Sequence, residues 1–195
     1  LSEGKASRDT EFVLADEDRT PGSGVLRYMH AGMPLTYEDL MVLMIMTSDN
    51  LATNMLIEHL SPEGITATMR GFGYTGTEVQ RKIYDYDGMD KGLHNWIAAG
   101  EIADLCERIY CKQAVGGEWD ELAFEILCRQ ISKEHLRVLI PEDIHVANKP
   151  GEVENIMHDA GVLWTDDFCY SICIMTSGWE CRSDAFMTIA KLSRL

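Results

Sequence analysis

Leu40-Met41-Val42-Leu43-Met44-Ile45-Met46 is an uninterrupted apolar run. Thr36 precedes it as a hydroxyl N-cap, with Asp39 three residues on and acid in the first turn, so the run reads as a helix. A helix apolar on every side belongs inside a lobe, and the centre of one is expected here. At seven residues the run is too short to cross a bilayer, which takes about twenty. Thr47-Ser48-Asp49-Asn50 then interrupts the apolar sequence with four polar residues. A second helix follows, with Leu51, Met55, Leu56 and Leu60 at helical spacing.

Punctuation divides the rest. Phe12-Val13-Leu14 reads as a strand inside an otherwise irregular 1–35, and Pro21-Gly22-Ser23-Gly24 is turn chemistry. Ser61-Pro62 restarts a short helix, with Ser at the N-cap and Pro at N1, and Gly71-Phe72-Gly73 ends it. Residues 74–97 carry no sustained period and read as a surface loop, and helices are expected over 98–112 and 118–130. After Pro141 the pattern turns to strands: Ile144–Lys149, then a hairpin of His158–Thr165 and Phe168–Thr176 across Asp166-Asp167. A helix from Arg182 closes the chain. The fold class is therefore α+β, helices covering an antiparallel sheet, with a mainly helical lobe over 1–140 and a sheet with its terminal helix over 141–195.

Charge removes whole classes of function. The 195 residues hold 17 Lys and Arg against 32 Asp and Glu, a net charge of −15. Phosphate backbones and anionic membranes both ask for a basic face, so neither is an expected partner. Leu1–Arg8 has neither the basic nor the apolar region of a secretion signal. Six cysteines without a C-x-x-C, and His94, His135 and His158 among the six histidines without ligand spacing, give no metal site. No cofactor is expected, and the cysteines read as reduced core residues, which favours a reducing compartment.

Two segments carry potential chemistry. Ser48-Asp49-Asn50 lies between two apolar helices; as a mere junction it needs no function. Buried polar groups without partners are costly, however, so Ser48 and Asn50 gain from a cleft to receive them. Asn148-Lys149-Pro150-Gly151 ends a strand in a cation. Its plain reading is a solvated lysine followed by residues that break strand pairing, although Gly151 permits close approach of a ligand.

Taken together, Ser48-Asp49-Asn50 and Lys149-Pro150-Gly151 resemble the second and third active-site motifs, S-D-N and K-T-G, of class A-like serine β-lactamases and penicillin-binding proteins. Pro21–Leu26, Asn50–Ile57 and His158–Val162 are similar to the segments that flank those motifs in the family. The resemblance covers most of residues 10–195. It implies a β-lactamase/transpeptidase-like fold and an acyl-serine reaction on a small amide, ester or β-lactam, in a bacterial extracytoplasmic setting. Under it, Ser48 and Lys149 would relay a proton, and Lys149 would draw an anionic substrate. Asn50 would hold a substrate carbonyl, while Gly151 and the backbone N–H of Glu152 would line the oxyanion site. Asp49 is expected to cap the next helix.

Three departures qualify the resemblance. The only S-x-x-K, Ser2-Glu3-Gly4-Lys5, is polar and contains Gly, unlike the buried helical turn that the family's nucleophile needs. The nucleophile is therefore expected upstream of Leu1, about fifteen to twenty residues away, and these residues alone are expected to be inactive. Lys82–Trp96 offers Asp85, Asp87 and Asp90 but no Glu-x-x-x-Asn for deacylation, and Pro150 replaces the motif's Thr. A non-catalytic binding or regulatory domain of the same fold is the alternative. The resemblance also leaves the outer edge of Phe168–Thr176 to a missing N-terminal segment, so a covering strand or self-association is expected there.

Overall fold

Helix α1 (Tyr37–Met46) begins where the capping pattern places it. Thr36 Oγ1 accepts from Asp39 N, and the Asp39 carboxylate accepts from Thr36 N at 2.8 Å, so two orphan donors are satisfied reciprocally. The computed structural model describes residues 1–194, in two compact units, Leu1–Glu101 and Ile102–Leu195.

The first unit is mainly helical. Strands β1 (Glu11–Val13) and β2 (Pro34–Thr36) pair antiparallel, Phe12 opposite Leu35. Helices α1, α2 (Asn50–Leu60) and α3 (Pro62–Gly71) follow, α3 capped by Ser61 Oγ accepting from Gly64 N at 3.0 Å. Leu14, Leu26, Leu35, Leu40, Leu51 and Leu56 form its core. Of the apolar run only Leu40 is fully buried; Met41 to Met46 are half-buried. The centre expected for this helix is therefore occupied by α2 instead, because the leucine cluster lies against one side of α1 only. Residues 74–97 form the expected loop, with a Glu78–Trp96 bridge and one short helix, α4 (Tyr86–Asp90).

In the second unit, α5 (Ala99–Tyr110) and α6 (Gly117–Cys128) precede a three-stranded antiparallel sheet in the order β3-β4-β5, and α7 (Arg182–Leu192) closes it. β3 spans His145–Val153, β4 Ile156–Trp164 and β5 Cys169–Ser177. Strand alternation gives the sheet two apolar faces. Ala160, Val162 and Trp164 pack with Cys106, Tyr110 and Phe124 from α5 and α6. Met157 and Ile174 pack with Leu136, Ala185 and Ile189 on the α7 side. α5 from Ile102 onward and α6 share a compact unit with the sheet.

One element differs from its sequence expectation in a way that matters. β3 does not stop at Lys149; it continues through Pro150 and Gly151 to Val153, with Lys149 opposite Ala160 and Gly151 opposite His158. Among the described residues β3 is an edge strand, so a proline's missing N–H need not interrupt the ladder to β4. β4 accordingly begins two residues earlier than the alternation suggests, after the turn Glu154-Asn155.

Candidate functional site

The S-D-N segment is the junction between α1 and α2, and Asp49 organises it. Its side chain is fully buried. Oδ1 accepts from Leu51 N and Ala52 N at 3.0 and 3.2 Å, capping α2. Oδ2 accepts from Val25 N and Leu26 N at 2.6 and 2.9 Å, tying the 21–26 turn to the junction. The turn needs glycine there: Gly24 has φ +104°, and a Cβ on it would lie 2.3 Å from the Asp49 carboxylate.

Ser48 and Asn50 flank Asp49 on either side. Ser48 has φ 51° and is half-buried. A serine in the left-handed region stores strain of order 1–3 kcal/mol, which the surrounding structure must over-determine. Asn50 donates from Nδ2 to Pro21 O at 2.8 Å, and Asn50 N donates to Ser23 O. Gly22 packs so close that a Cβ would meet Asn50 Nδ2 at 2.5 Å and the Tyr84 ring at 3.0 Å. Tyr84, from the 74–97 loop, is itself left-handed at φ 59°.

Sequence reasoning missed the residue that holds that loop. Asn54, buried one turn beyond Asn50, accepts from Ile83 N at 2.7 Å and donates to Ile83 O at 3.0 Å and Thr20 Oγ1 at 3.2 Å. A polar side chain among Leu51, Met55 and Leu56 is the signal that would have found it. Of the three aspartates in 82–96, Asp85 caps α4 by accepting from Gly88 N at 2.9 Å, while Asp87 and Asp90 are exposed.

The second unit holds Lys149, Gly151 and Glu152 on β3. Lys149 is half-buried and donates from Nζ to Pro150 O. Burial pushes its ammonium down from the usual lysine range to about 8, against the opposing pull of the Asp159 carboxylate. This is not the solvated strand-end lysine of the plain sequence reading: β3 runs on past it. Asn148 and Asp159 lie on the other face of the strands and are almost wholly buried. Burial raises Asp159 to about 6, although hydrogen bonds from Asn148, Leu136 N and Ala160 N and the charge of Lys149 oppose the rise. Gly151 is exposed, and a Cβ there would meet nothing within 4 Å. The Glu152 side chain is held by Arg182, Nε to Oε1 at 2.7 Å and Nη2 to Oε2 at 2.8 Å.

Ser48 and Asn50 thus belong to the first unit, and Lys149, Gly151 and Glu152 to the second. Ser2-Glu3-Gly4-Lys5 forms exposed turns, with Lys5 paired to Glu3 at 2.6 Å, and has none of the helical geometry of a nucleophile motif. Among the described residues no His, Cys, Asp and Glu cluster could hold a metal, and no helix is long and apolar enough to cross a membrane.

The model of the beta-lactamase enzyme family matches residues 1–195. The chain belongs to that family. Solved structures agree in fold. The beta-lactamase of Sphaerobacter thermophilus superposes with a TM-score of 0.90 at 25% identity, covering 98% of this chain and 73% of that one. PBP-A gives 0.87 at 20% identity, covering 98% and 71%. A beta-lactamase from Chitinophaga pinensis gives 0.88 at 17%, covering 99% and 76%. Among curated proteins no sequence matches. Membership of the beta-lactamase family makes the chain a serine-hydrolase type of α+β protein, as the paired motifs implied.

Proposed function

We propose that this chain serves acyl transfer to and from a serine, on an amide, ester or β-lactam, with Ser48 and Lys149 as its proton relay. The observation that carries the proposal is the state of Lys149. An ammonium near 8 leaves an appreciable fraction of neutral amine at ordinary pH, whereas an ordinary lysine is almost wholly charged there. Ser48 supplies the hydroxyl that passes the proton to the leaving group, and its strained backbone is consistent with a functional position. Asn50 orients a substrate carbonyl through its side-chain amide. The backbone at Gly151 and Glu152 donates to the developing oxyanion.

Deacylation is the weak step under this proposal, because Asp85 is committed to α4 and no Glu occupies 82–96. Ser2 is not given the nucleophile's part, and the 195 residues by themselves are expected to form no acyl-enzyme. A fluorescent penicillin tests both halves. The 195-residue chain should remain unlabelled; label mapped by mass spectrometry to Ser2 would overturn that assignment. In the complete natural protein, label should form, persist for many minutes, and be lost on Lys149→Ala and on Ser48→Ala. Label of undiminished rate in both variants would remove the relay.

Pro150 in place of Thr favours one second reading, a binding domain of the same fold that does no chemistry. It predicts saturable, reversible binding of benzylpenicillin by the complete protein with no covalent adduct.

A further inference from the structure

Behind Lys149 lies a buried polar chain that the proposed relay does not use. Asn148, adjacent to the lysine on β3, is fully buried. Its Nδ2 donates to both oxygens of the Asp159 carboxylate, at 3.0 and 2.9 Å. Its Oδ1 accepts from Arg137 Nε at 2.8 Å, and the same guanidinium donates from Nη2 to Val146 O. Asp159 Oδ2 also accepts from Leu136 N at 3.1 Å. One short turn, His135–Arg137, thus grips β3 at residues 146 and 148 and β4 at 159.

A buried carboxylate is expensive unless its neighbours compensate. A structural clamp could have used an amide at position 159, with far less desolvation. What an amide would not supply is the charge. Lys149 pairs with Ala160, so Asp159 is one residue along on the adjoining strand, and its carboxylate is the charge that opposes the loss of the lysine's proton. The other titratable or charged groups that feel Asp159 are Arg137 from the 135–137 turn, Cys106 from α5 and Cys173 from β5. Burial and the Asp159 charge push both thiols up, to about 12 and about 11, so they stay neutral where Lys149 titrates.

We propose that Asp159 is a positioning residue for Lys149: through Asn148 it fixes the segment of β3 that carries the lysine, and its charge acts on the ammonium from the opposite face of the sheet. The importance of this for chemistry rests on the role proposed above for Lys149, but its test does not. In protein labelled with ¹³Cε-lysine, the Lys149 resonance is assigned by Lys149→Arg and followed against pH. In Asp159→Asn, whose amide keeps the shape and an acceptor oxygen, the Lys149 midpoint should move below that of the parent. An unmoved midpoint in a folded variant overturns the proposal, whatever happens to stability.

A second measurement does not need Asp159→Asn. In the parent and equally in His135→Phe, which removes another group near Lys149 that titrates in this range, the same resonance should show a second inflection near 6, where Asp159 takes up its proton, besides the one near 8. A single inflection overturns the proposal even if Asp159→Asn fails to fold. Failure of penicillin labelling with both inflections present would instead remove the acyl-transfer function and leave the Asp159–Lys149 linkage standing.

Discussion

The junction at Ser48–Asn50 and the β3–β4 strand pair each bury an aspartate, Asp49 and Asp159, and they do so to opposite ends. Asp49 meets four backbone N–H groups, donors left over by a helix start and a tight turn, so its carboxylate completes hydrogen bonding that the backbone requires. Asp159 meets one backbone donor from outside its strand, a side-chain amide and the field of a lysine. Burial raises Asp159 to about 6. Burial alone does not make an acid functional; what faces it decides whether it is a cap or a partner in titration.

The largest expected effect breaks the first half of that comparison. Asp49→Ala leaves buried N–H groups of Val25, Leu26, Leu51 and Ala52 without their acceptor and should cost about 3–5 kcal/mol, read as a lower denaturant midpoint. A loss under about 1 kcal/mol would mean that the junction is held elsewhere.

The pH dependence of stability tests the second half. Folded Asp159 keeps its proton up to about 6, whereas the unfolded chain releases it near 3.8. Between those values the folded state binds more protons, so this group's contribution to stability falls as pH rises, by about 3 kcal/mol over the whole window. For Lys149 the unfolded chain keeps its proton longer, from about 8 to 10.5, so that contribution rises with pH. Denaturation of the parent and of Asp159→Asn at pH 4 and pH 7 should show the acid-side slope only in the parent.

Ser48→Gly separates strain from chemistry at the junction. Glycine accepts φ 51° without penalty, so the variant should gain about 1 kcal/mol of stability while losing the hydroxyl and, with it, the proposed relay. No gain in thermal midpoint would show that Ser48 is not strained. The smallest effect belongs to the exposed ion pair on β3. Arg182→Ala removes its bonds to Glu152 and Glu134 across half-exposed side chains and should cost less than about 1 kcal/mol, less still in high salt.

Much of this was legible beforehand, for local reasons. Thr36 with Asp39, Ser61 with Pro62 and Asp49 before Leu51 are capping patterns within four residues, and each helix starts where its pattern says. The β4–β5 link at Asp166-Asp167 is equally local: Thr165 Oγ1 accepts from Asp167 N and Phe168 N. Pro150 misled because its effect depends on whether the strand lies inside a sheet or at its edge, and order within a sheet is not written in the residues around it. Asn54, Arg137 and Asp159 were not singled out because their partners lie 29, 11 and 23 residues away in sequence.

The sequence by itself determined the α+β class, the helix starts, the acidic charge and the two segments that resemble the family's motifs, because propensity, capping and charge are properties of neighbouring residues. Only the tertiary structure decided that Met41–Met46 lie half-buried, that β3 runs through Pro150, and that Lys149 has an ammonium weakened by burial. Desolvation and charge coupling depend on what the chain brings close from far along its length, and that closeness exists only in the fold.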